Sequence, residues 1–183
     1  SIKPKDIGKI LNILNNSYHH LQTWQVTLAS KLMPYIMSRP IEVCGLKWSE
    51  VDLEDRVIII PKERMKSDRD HLKQAESHRE NSEYVFPSPR GGGHISTRSL
   101  LQRLRRSGIK ANELTTHGWR SMASTRLNEG IGSKVFDKDI IEIQLAHKDT
   151  TQRGVYNHAA YFDDRANMLQ SWANYLDSIL KKS

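Results

Sequence analysis

The stretch SRPIEVCGLKW, residues 38–48, marks the point where a helical beginning of the chain gives way to a short β region. Pro40 suits the first position of a short helix, where its missing N–H is not needed, and Gly45 suits the end of that helix. Arg39 precedes the helix, so its planar guanidinium could bind two oxygens of a phosphate, with Glu42 one turn later to hold it. Taken alone, the pair is better explained as an ordinary surface ion pair.

Two helices are predicted upstream of this stretch. Apolar residues recur at helical spacing between Lys5 and Leu14. A longer helix is predicted from about Tyr18 to Ile36. The residues on its apolar face are Leu21, Trp24, Leu28 and Leu32.

Downstream, the composition indicates strands. The β-branched run from Arg56 to Ile60 follows a turn and ends at Pro61. A further short β segment is predicted at Tyr84–Phe86, so we expect a small antiparallel sheet built from hairpins. The triplet Gly91–Gly93 is predicted to be a loop, because it lacks the spacing of a phosphate-binding motif.

The rest of the chain is predicted to be helical. Ser96 and Thr116 are candidate N-caps, and Gly130 is a candidate stop. The predicted helices cover residues 97–106, 117–129 and 139–146, with Asp163 as the candidate cap of a last helix. This last helix has an apolar stripe that could face its own core or a neighbouring subunit. The residues of the stripe are Leu169, Trp172, Ala173, Leu176, Ile179 and Leu180. The predicted fold class is mainly α with a small antiparallel β-sheet (α+β).

The composition fits one globular domain with a polyanionic partner. The 183 residues are 37% hydrophobic, with a formal net charge of +7. No membrane-spanning run or signal sequence is visible in the sequence, and we expect a cytoplasmic protein with nucleic acid as the leading candidate partner. The single cysteine, Cys44, excludes an internal disulfide. We interpret it as a buried helical residue, because no other feature indicates a catalytic thiol.

Three further segments carry groups that could act on a phosphate. Lys66 follows the β-branched run, at the expected tip of a hairpin. His117 and Arg120 are three residues apart and would share one helix face, with Gly118 allowing close approach of a ligand. His147 is followed by a tyrosine nine residues later, Tyr156. Each segment alone is also explained by ordinary surface or core residues.

The order of these segments resembles the catalytic domain of the tyrosine recombinases, the phage integrase family. The motif at 39–48 matches the first box of the family. The stretches 63–66, 155–159 and 172–176 are most similar to integrases of satellite phages and pathogenicity islands. The resemblance covers nearly the whole chain and implies the DNA breaking-rejoining fold. It implies one catalytic domain, residues 1–183, as a C-terminal fragment without the arm-binding and core-binding domains.

The resemblance also implies the chemistry. The positions that match the catalytic set of the family are Arg39, Lys66, His117, Arg120, His147 and Tyr156. Tyr156 would attack a DNA phosphate to form a 3′-phosphotyrosine and release a 5′-hydroxyl, without metal, ATP or any other cofactor. The tyrosines Tyr161 and Tyr175 are rivals for this role. The spacing from His147 favours Tyr156, and packing in the last helix explains Tyr175.

The implied partners are double-stranded DNA attachment sites, further recombinase protomers that form a tetramer on DNA, and accessory DNA-bending proteins. No membrane partner is implied. A basic segment could supply phosphate contacts, although a solvated helix face explains some of its residues equally well. Its residues are Arg98, Arg103, Arg105, Arg106 and Lys110.

The chain departs from the family after residues 70–72, where relatives usually have a further strand and a longer helix, and residues 73–78 follow at once. This leaves open where the sheet ends and how firmly Lys66 is held. Two other functions share parts of the pattern: a type IB topoisomerase and a DNA-binding module without catalysis. A third, a metal-dependent nuclease that uses His117 and His147, would be sensitive to EDTA.

Overall fold

The computed structural model describes residues 4–17, 23–55, 57–58, 76–78, 82–145 and 161–182. Within these ranges the chain forms seven α-helices and one pair of short strands. None of the described helices has the length and apolar character needed to cross a bilayer.

The first two helices lie where the apolar spacing indicates. Helix α1, Pro4–Asn16, contains the predicted segment and buries its apolar face. Helix α2, Trp24–Ile36, ends where predicted but begins later, because Thr23 is extended with φ −86° and ψ 157°. Leu28 and Leu32 of the predicted face are buried, whereas Leu21 lies outside the described residues.

Helix α3, Pro40–Cys44, leads into the sheet as predicted. Gly45 ends it, with its N–H donating to the Ile41 carbonyl at 3.0 Å. The backbone of Gly45 is not left-handed. Space is tight at this glycine, because a Cβ here would lie 3.3 Å from Nε2 of His94, and that side chain would have to shift.

Strands β1, Val51–Asp52, and β2, Val57–Ile58, pair antiparallel, with Val51 opposite Ile58. The antiparallel prediction is therefore confirmed for the described part of the 56–60 run. Tyr84–Phe86 is reduced to an isolated antiparallel bridge, in which Tyr84 faces Lys47. The predicted Gly91–Gly93 loop is confirmed, and all three glycines have positive φ.

The later helices are α4, Thr97–Arg106; α5, Gly118–Glu129; α6, Lys138–Gln144; and α7, Phe162–Leu180. Ser96 caps α4 as predicted, since its Oγ accepts from the Ser99 N–H at 3.2 Å. The Thr116 cap is wrong. The chain already turns at Thr115, whose carbonyl accepts from the Gly118 N–H, and His117 occupies the N-cap position with helical dihedrals.

The predicted cap of the last helix is also wrong, because Tyr161, two residues earlier, occupies the N-cap position. Asp163 lies inside the first turn of α7 and is not the cap. A carboxylate in that turn still interacts favourably with the positive end of the helix dipole. Similarly, α6 begins one residue earlier than predicted, where Oδ1 of Asp137 accepts from the Asp139 N–H at 2.7 Å.

Helix α7 packs on its own domain, which resolves the two possibilities for its apolar stripe. Leu169, Trp172, Ala173 and Leu176 are buried against α1, α2 and α6. The indole N–H of Trp172 donates to the Pro34 carbonyl at 2.8 Å, and the Tyr35 hydroxyl donates to Asp177 at 3.0 Å. The mainly helical fold with a small antiparallel sheet is confirmed. Because α7 packs against α1, the first and last described helices lie together.

Candidate active site

The first predicted site residue, Arg39, lies at the N-cap of α3 and is held there by Glu42. The guanidinium Nη1 donates to Oε1 of Glu42 at 2.9 Å, and the main-chain N–H of Arg39 donates to Oε2 at 2.8 Å. The Glu42 side chain is 11% exposed and that of Arg39 is 39% exposed. The carboxylate therefore fixes both the backbone and the side chain of Arg39, while part of the guanidinium stays open to solvent.

The second arginine, Arg120, lies in the first turn of α5 and points back to the segment that carries Arg39. Its Nη1 donates to the main-chain carbonyl of Met37 at 2.8 Å. Met37 precedes Arg39 by two residues. This hydrogen bond shows that residues 39 and 120, which are 81 positions apart in the sequence, lie in one region of the fold.

The charges of Arg39 and Arg120 interact. Burial lowers the pKa of Arg120, and the positive charge of Arg39 lowers it further, while Glu42 and Glu142 act in the opposite direction. Two like charges that interact in a partly buried region repel each other, and an anion bound near both would relieve this repulsion. The arrangement therefore favours a phosphate oxygen as its ligand.

His117 lies one turn before Arg120 and is exposed. Its carbonyl accepts from the Arg120 N–H at 3.2 Å, so both residues belong to one turn of backbone. Gly118 lies between them, and the close approach of a ligand to its backbone stays a prediction. A Cβ at this position would lie 2.7 Å from Cδ1 of the buried Leu114, so the glycine makes room for the core.

Three predicted catalytic residues, Lys66, His147 and Tyr156, lie outside the described residues. Their positions relative to the two arginines stay predictions. One rival tyrosine is accounted for, as expected: the Tyr175 hydroxyl accepts from Nε of Arg126 at 3.3 Å, and its ring packs on Trp172 in α7.

The predicted phosphate-contact segment divides into surface and interior residues. Arg98, Arg106 and Lys110 are exposed. The prediction of a phosphate contact is wrong for Arg103. Its side chain is buried and its Nη2 donates to the Leu14 carbonyl at 2.7 Å, so it cannot contact a phosphate. Arg105 is half-buried, and its Nη1 donates to two carbonyls of the loop that follows α4, those of Ile109 and Leu114.

One residue of the site was missed by the sequence reasoning. Met37 supplies the carbonyl that holds Arg120, and it does so in a left-handed conformation with φ 53° and ψ 13°. Sequence patterns did not indicate it, since glycine or asparagine is usual at such a helix end. Among the described residues, no cluster of three or more His, Cys, Asp or Glu side chains could hold a metal ion.

Comparison with known proteins gives consistent results. The sequence profile described as the Phage integrase family matches residues 1–162. Prophage integrase IntZ of Escherichia coli (strain K12) is 38% identical over 167 residues, which are 85% of this chain. The chain spans about 40% of the length of that relative.

Two solved structures share the fold. An integrase from mycobacterium phage Brujita has a TM-score of 0.65 at 15% identity, over 98% of this chain and 64% of that one. XerA recombinase has a TM-score of 0.58 at 20% identity, over 90% of this chain and 65% of that one. At these identities the likeness concerns the fold alone, and it agrees with the fold expected from the ordered boxes.

Proposed function

This chain belongs to the Phage integrase family, and we propose that residues 1–183 are the catalytic domain of a site-specific tyrosine recombinase. It would cut and rejoin DNA through a 3′-phosphotyrosine intermediate during integration and excision of a prophage or genomic island. One structural observation supports this most strongly. The guanidinium of Arg120 donates to the main-chain carbonyl of Met37 at 2.8 Å, two residues before Arg39 in the chain.

In the proposed reaction, the phenol oxygen of Tyr156 forms a bond to the scissile phosphorus as the bond to the 5′ oxygen breaks. The phosphodiester energy is kept in the phosphotyrosine, so the reverse attack by a 5′-hydroxyl needs no ATP. The pentacovalent transition state carries extra negative charge on its non-bridging oxygens. Arg39 and Arg120 would bind these oxygens, and His147 would add a hydrogen bond.

Two further residues would manage protons. Lys66 would give a proton to the departing 5′ oxygen, and His117 would assist removal of the proton from the Tyr156 phenol. The exposed position of His117, one turn from Arg120, supports this role, since the imidazole can exchange protons with solvent or a DNA-bound group. Glu42 would act indirectly, by keeping Arg39 in the orientation described above.

The proposed partner is double-stranded DNA at attachment sites, where further protomers would complete a tetramer, with accessory DNA-bending proteins. The proposed location is the bacterial cytoplasm, on DNA. The exposed cations Arg98, Arg106 and Lys110 support contacts to the phosphate backbone. Sequence recognition by this chain alone would be weak, because phosphate contacts carry little sequence information.

The test is covalent trapping on nicked DNA. The chain is incubated with a pool of nicked duplexes whose sequence is randomised around the nick. Cleavage close to the nick releases a short strand that carries the 5′-hydroxyl. This strand diffuses away, so religation is prevented. We expect an SDS-resistant protein–DNA adduct from the parent chain and none from Tyr156→Phe. Tyr161→Phe and Tyr175→Phe are matched controls that should keep the adduct. An adduct that survives Tyr156→Phe would refute the assignment of the nucleophile, and its loss in Tyr161→Phe would point to Tyr161 instead.

The same assay separates two of the other functions, and relaxation of a supercoiled plasmid separates the third. A type IB topoisomerase would relax a supercoiled plasmid without exchanging strands between two duplexes. A DNA-binding module without catalysis would shift the duplexes in a gel but form no adduct. A metal-dependent nuclease would cleave without an adduct and would stop in EDTA, whereas the proposed reaction should be unchanged by EDTA.

A further inference from the structure

Resting on the proposed function, we propose that Met37 is a positioning residue whose main-chain carbonyl fixes the guanidinium of Arg120 for the reaction. Among the described residues, Met37 is the single non-glycine residue with positive φ. Strained backbone of this kind persists where the surrounding structure holds it, and it is frequent at functional sites.

The local structure explains how the carbonyl comes to face Arg120. Helix α2 ends at Ile36, and the left-handed turn at Met37 redirects the chain toward α3. Inside a helix, this carbonyl would lie along the axis and bond to a later N–H. Here it leaves the helix direction and accepts from Nη1 of Arg120 at 2.8 Å. The next residue secures the turn, because Oγ of the buried Ser38 donates to the Ile36 carbonyl at 3.4 Å.

The side chain of Met37 keeps the turn in place. It is 1% exposed and belongs to the main hydrophobic core. One residue therefore has two anchors: an apolar side chain in the core and a carbonyl in the site. A glycine would adopt this backbone at lower cost, but it would lose the core contacts.

The chemistry of the acceptor matters as well. Repulsion from Arg39 would turn an unrestrained Arg120 away from the shared phosphate position. A carboxylate acceptor would hold Arg120 but would also neutralise the charge that the phosphate requires. A carbonyl orients the guanidinium through a partial charge only, and the remaining donors of the guanidinium keep their full electrostatic attraction for the DNA.

The alternative explanation is that Met37 merely ends α2, since left-handed residues are common at helix ends. Two isomeric variants separate the explanations. Leucine and isoleucine have the same atoms and similar apolarity, but isoleucine is branched at Cβ, and a β-branched residue strongly resists the left-handed conformation. Met37→Ile should shift the carbonyl, whereas Met37→Leu should preserve it.

The rate of adduct formation is measured in a single turnover on the randomised nicked pool, with DNA saturating and at a temperature where both variants are folded. We expect Met37→Leu to stay within about threefold of the parent, and Met37→Ile to be slower by about tenfold or more, because small misplacements of a reacting group are costly. The apparent Kd for the DNA pool should differ by less than about twofold between the variants, since the phosphate contacts of the exposed cations are unchanged.

A double-mutant comparison assigns the effect to Arg120. In the Arg120→Ala background, the two Met37 variants should react equally slowly, because the group that Met37 positions is gone. A rate difference that persists in that background would overturn the inference, as would equal rates in the parent background. If the parent chain itself forms no adduct, both the proposed function and this inference are overturned. A parent adduct with equal rates for Met37→Ile and Met37→Leu overturns the inference alone.

Discussion

Two arginines of this domain make nearly the same hydrogen bond in regions of very different character. Arg103 donates to the Leu14 carbonyl at 2.7 Å in the junction of α1, α2 and α4. Arg120 donates to the Met37 carbonyl at 2.8 Å beside α3. The first side chain is buried, whereas the second is half-buried and lies close to the charge of Arg39.

The difference shows that solvent access, more than the hydrogen bond itself, separates a structural arginine from one suited to bind a ligand. The Leu14 carbonyl belongs to the last turn of α1, where carbonyls lack partners within the helix. Arg103 satisfies it and joins α1 to α4, and Thr27 of α2 accepts a longer bond from Nη1 at 3.4 Å. Arg120 instead keeps part of its surface available to an anion.

The largest expected effect is on cleavage, at Arg120. Arg120→Ala should lower the rate of adduct formation by about 10²–10³-fold, as when one preorganised donor to a developing oxyanion is removed. Arg126→Ala is the matched control on the same helix, because Arg126 contacts Tyr175 and Glu129, away from Arg39. Equal rates for the two variants would contradict the assignment of Arg120 to the reaction.

The next effect is on stability, at Arg103. Arg103→Ala should lower the free energy of unfolding by about 2–4 kcal/mol, because it leaves a cavity and the Leu14 carbonyl without its donor. Arg106→Ala, three residues later and exposed, should change it by less than about 0.5 kcal/mol. Urea unfolding followed by circular dichroism measures both. An Arg103 variant that unfolds like the parent but binds DNA more weakly would show that Arg103 contacts DNA and is not a structural residue.

A smaller effect is expected on the salt dependence of DNA binding. Replacing Arg98, Arg106 and Lys110 together with alanine should reduce the slope of log Kobs against log salt by about 2–3, if each cation contacts one phosphate. Fluorescence anisotropy over a range of salt concentrations measures the slope. The control replaces the exposed Lys181 and Lys182 at the end of α7. An equal reduction in the control would mean that net charge alone is responsible.

The smallest effect concerns Cys44, at the buried end of the helix that begins after Arg39. Burial raises the pKa of its thiol from the ordinary 9.0 to about 12. Below pH 9 the thiol is neutral in both states. Between the two values the unfolded chain loses the proton and the folded chain does not, so stability falls by about 1.4 kcal/mol per pH unit.

This loss should be visible as a difference between the parent and Cys44→Ala when urea unfolding at about pH 8 and about pH 10 is compared. The parent should lose about 1.4 kcal/mol more than the variant over this range. Equal pH dependence in both proteins, or rapid reaction of the native thiol with a disulfide reagent, would show that the buried region does not extend to this end of α3.

Periodicity in the sequence was enough to predict most helices. The apolar residues of α1 and the cap at Ser96 are local features, and local features decide where a helix forms. The failures at Thr116 and Asp163 concern helix starts, where a turn in the preceding backbone decides which residue becomes the cap. The residues of the candidate site were predicted from the order of separated boxes, through its resemblance to the integrase family.

The sequence by itself determined the helical architecture, the small sheet, and the pairing of Arg39 with Glu42, because these depend on neighbours within a few residues. Only the tertiary structure decided that Arg103 is an interior residue and that Arg120 bonds to Met37. Arg103, Arg105 and Arg106 have nearly the same sequence context, and burial separates them through contacts with α1 and with the following loop. A side chain's access to solvent depends on residues that are distant in sequence, and so does its function.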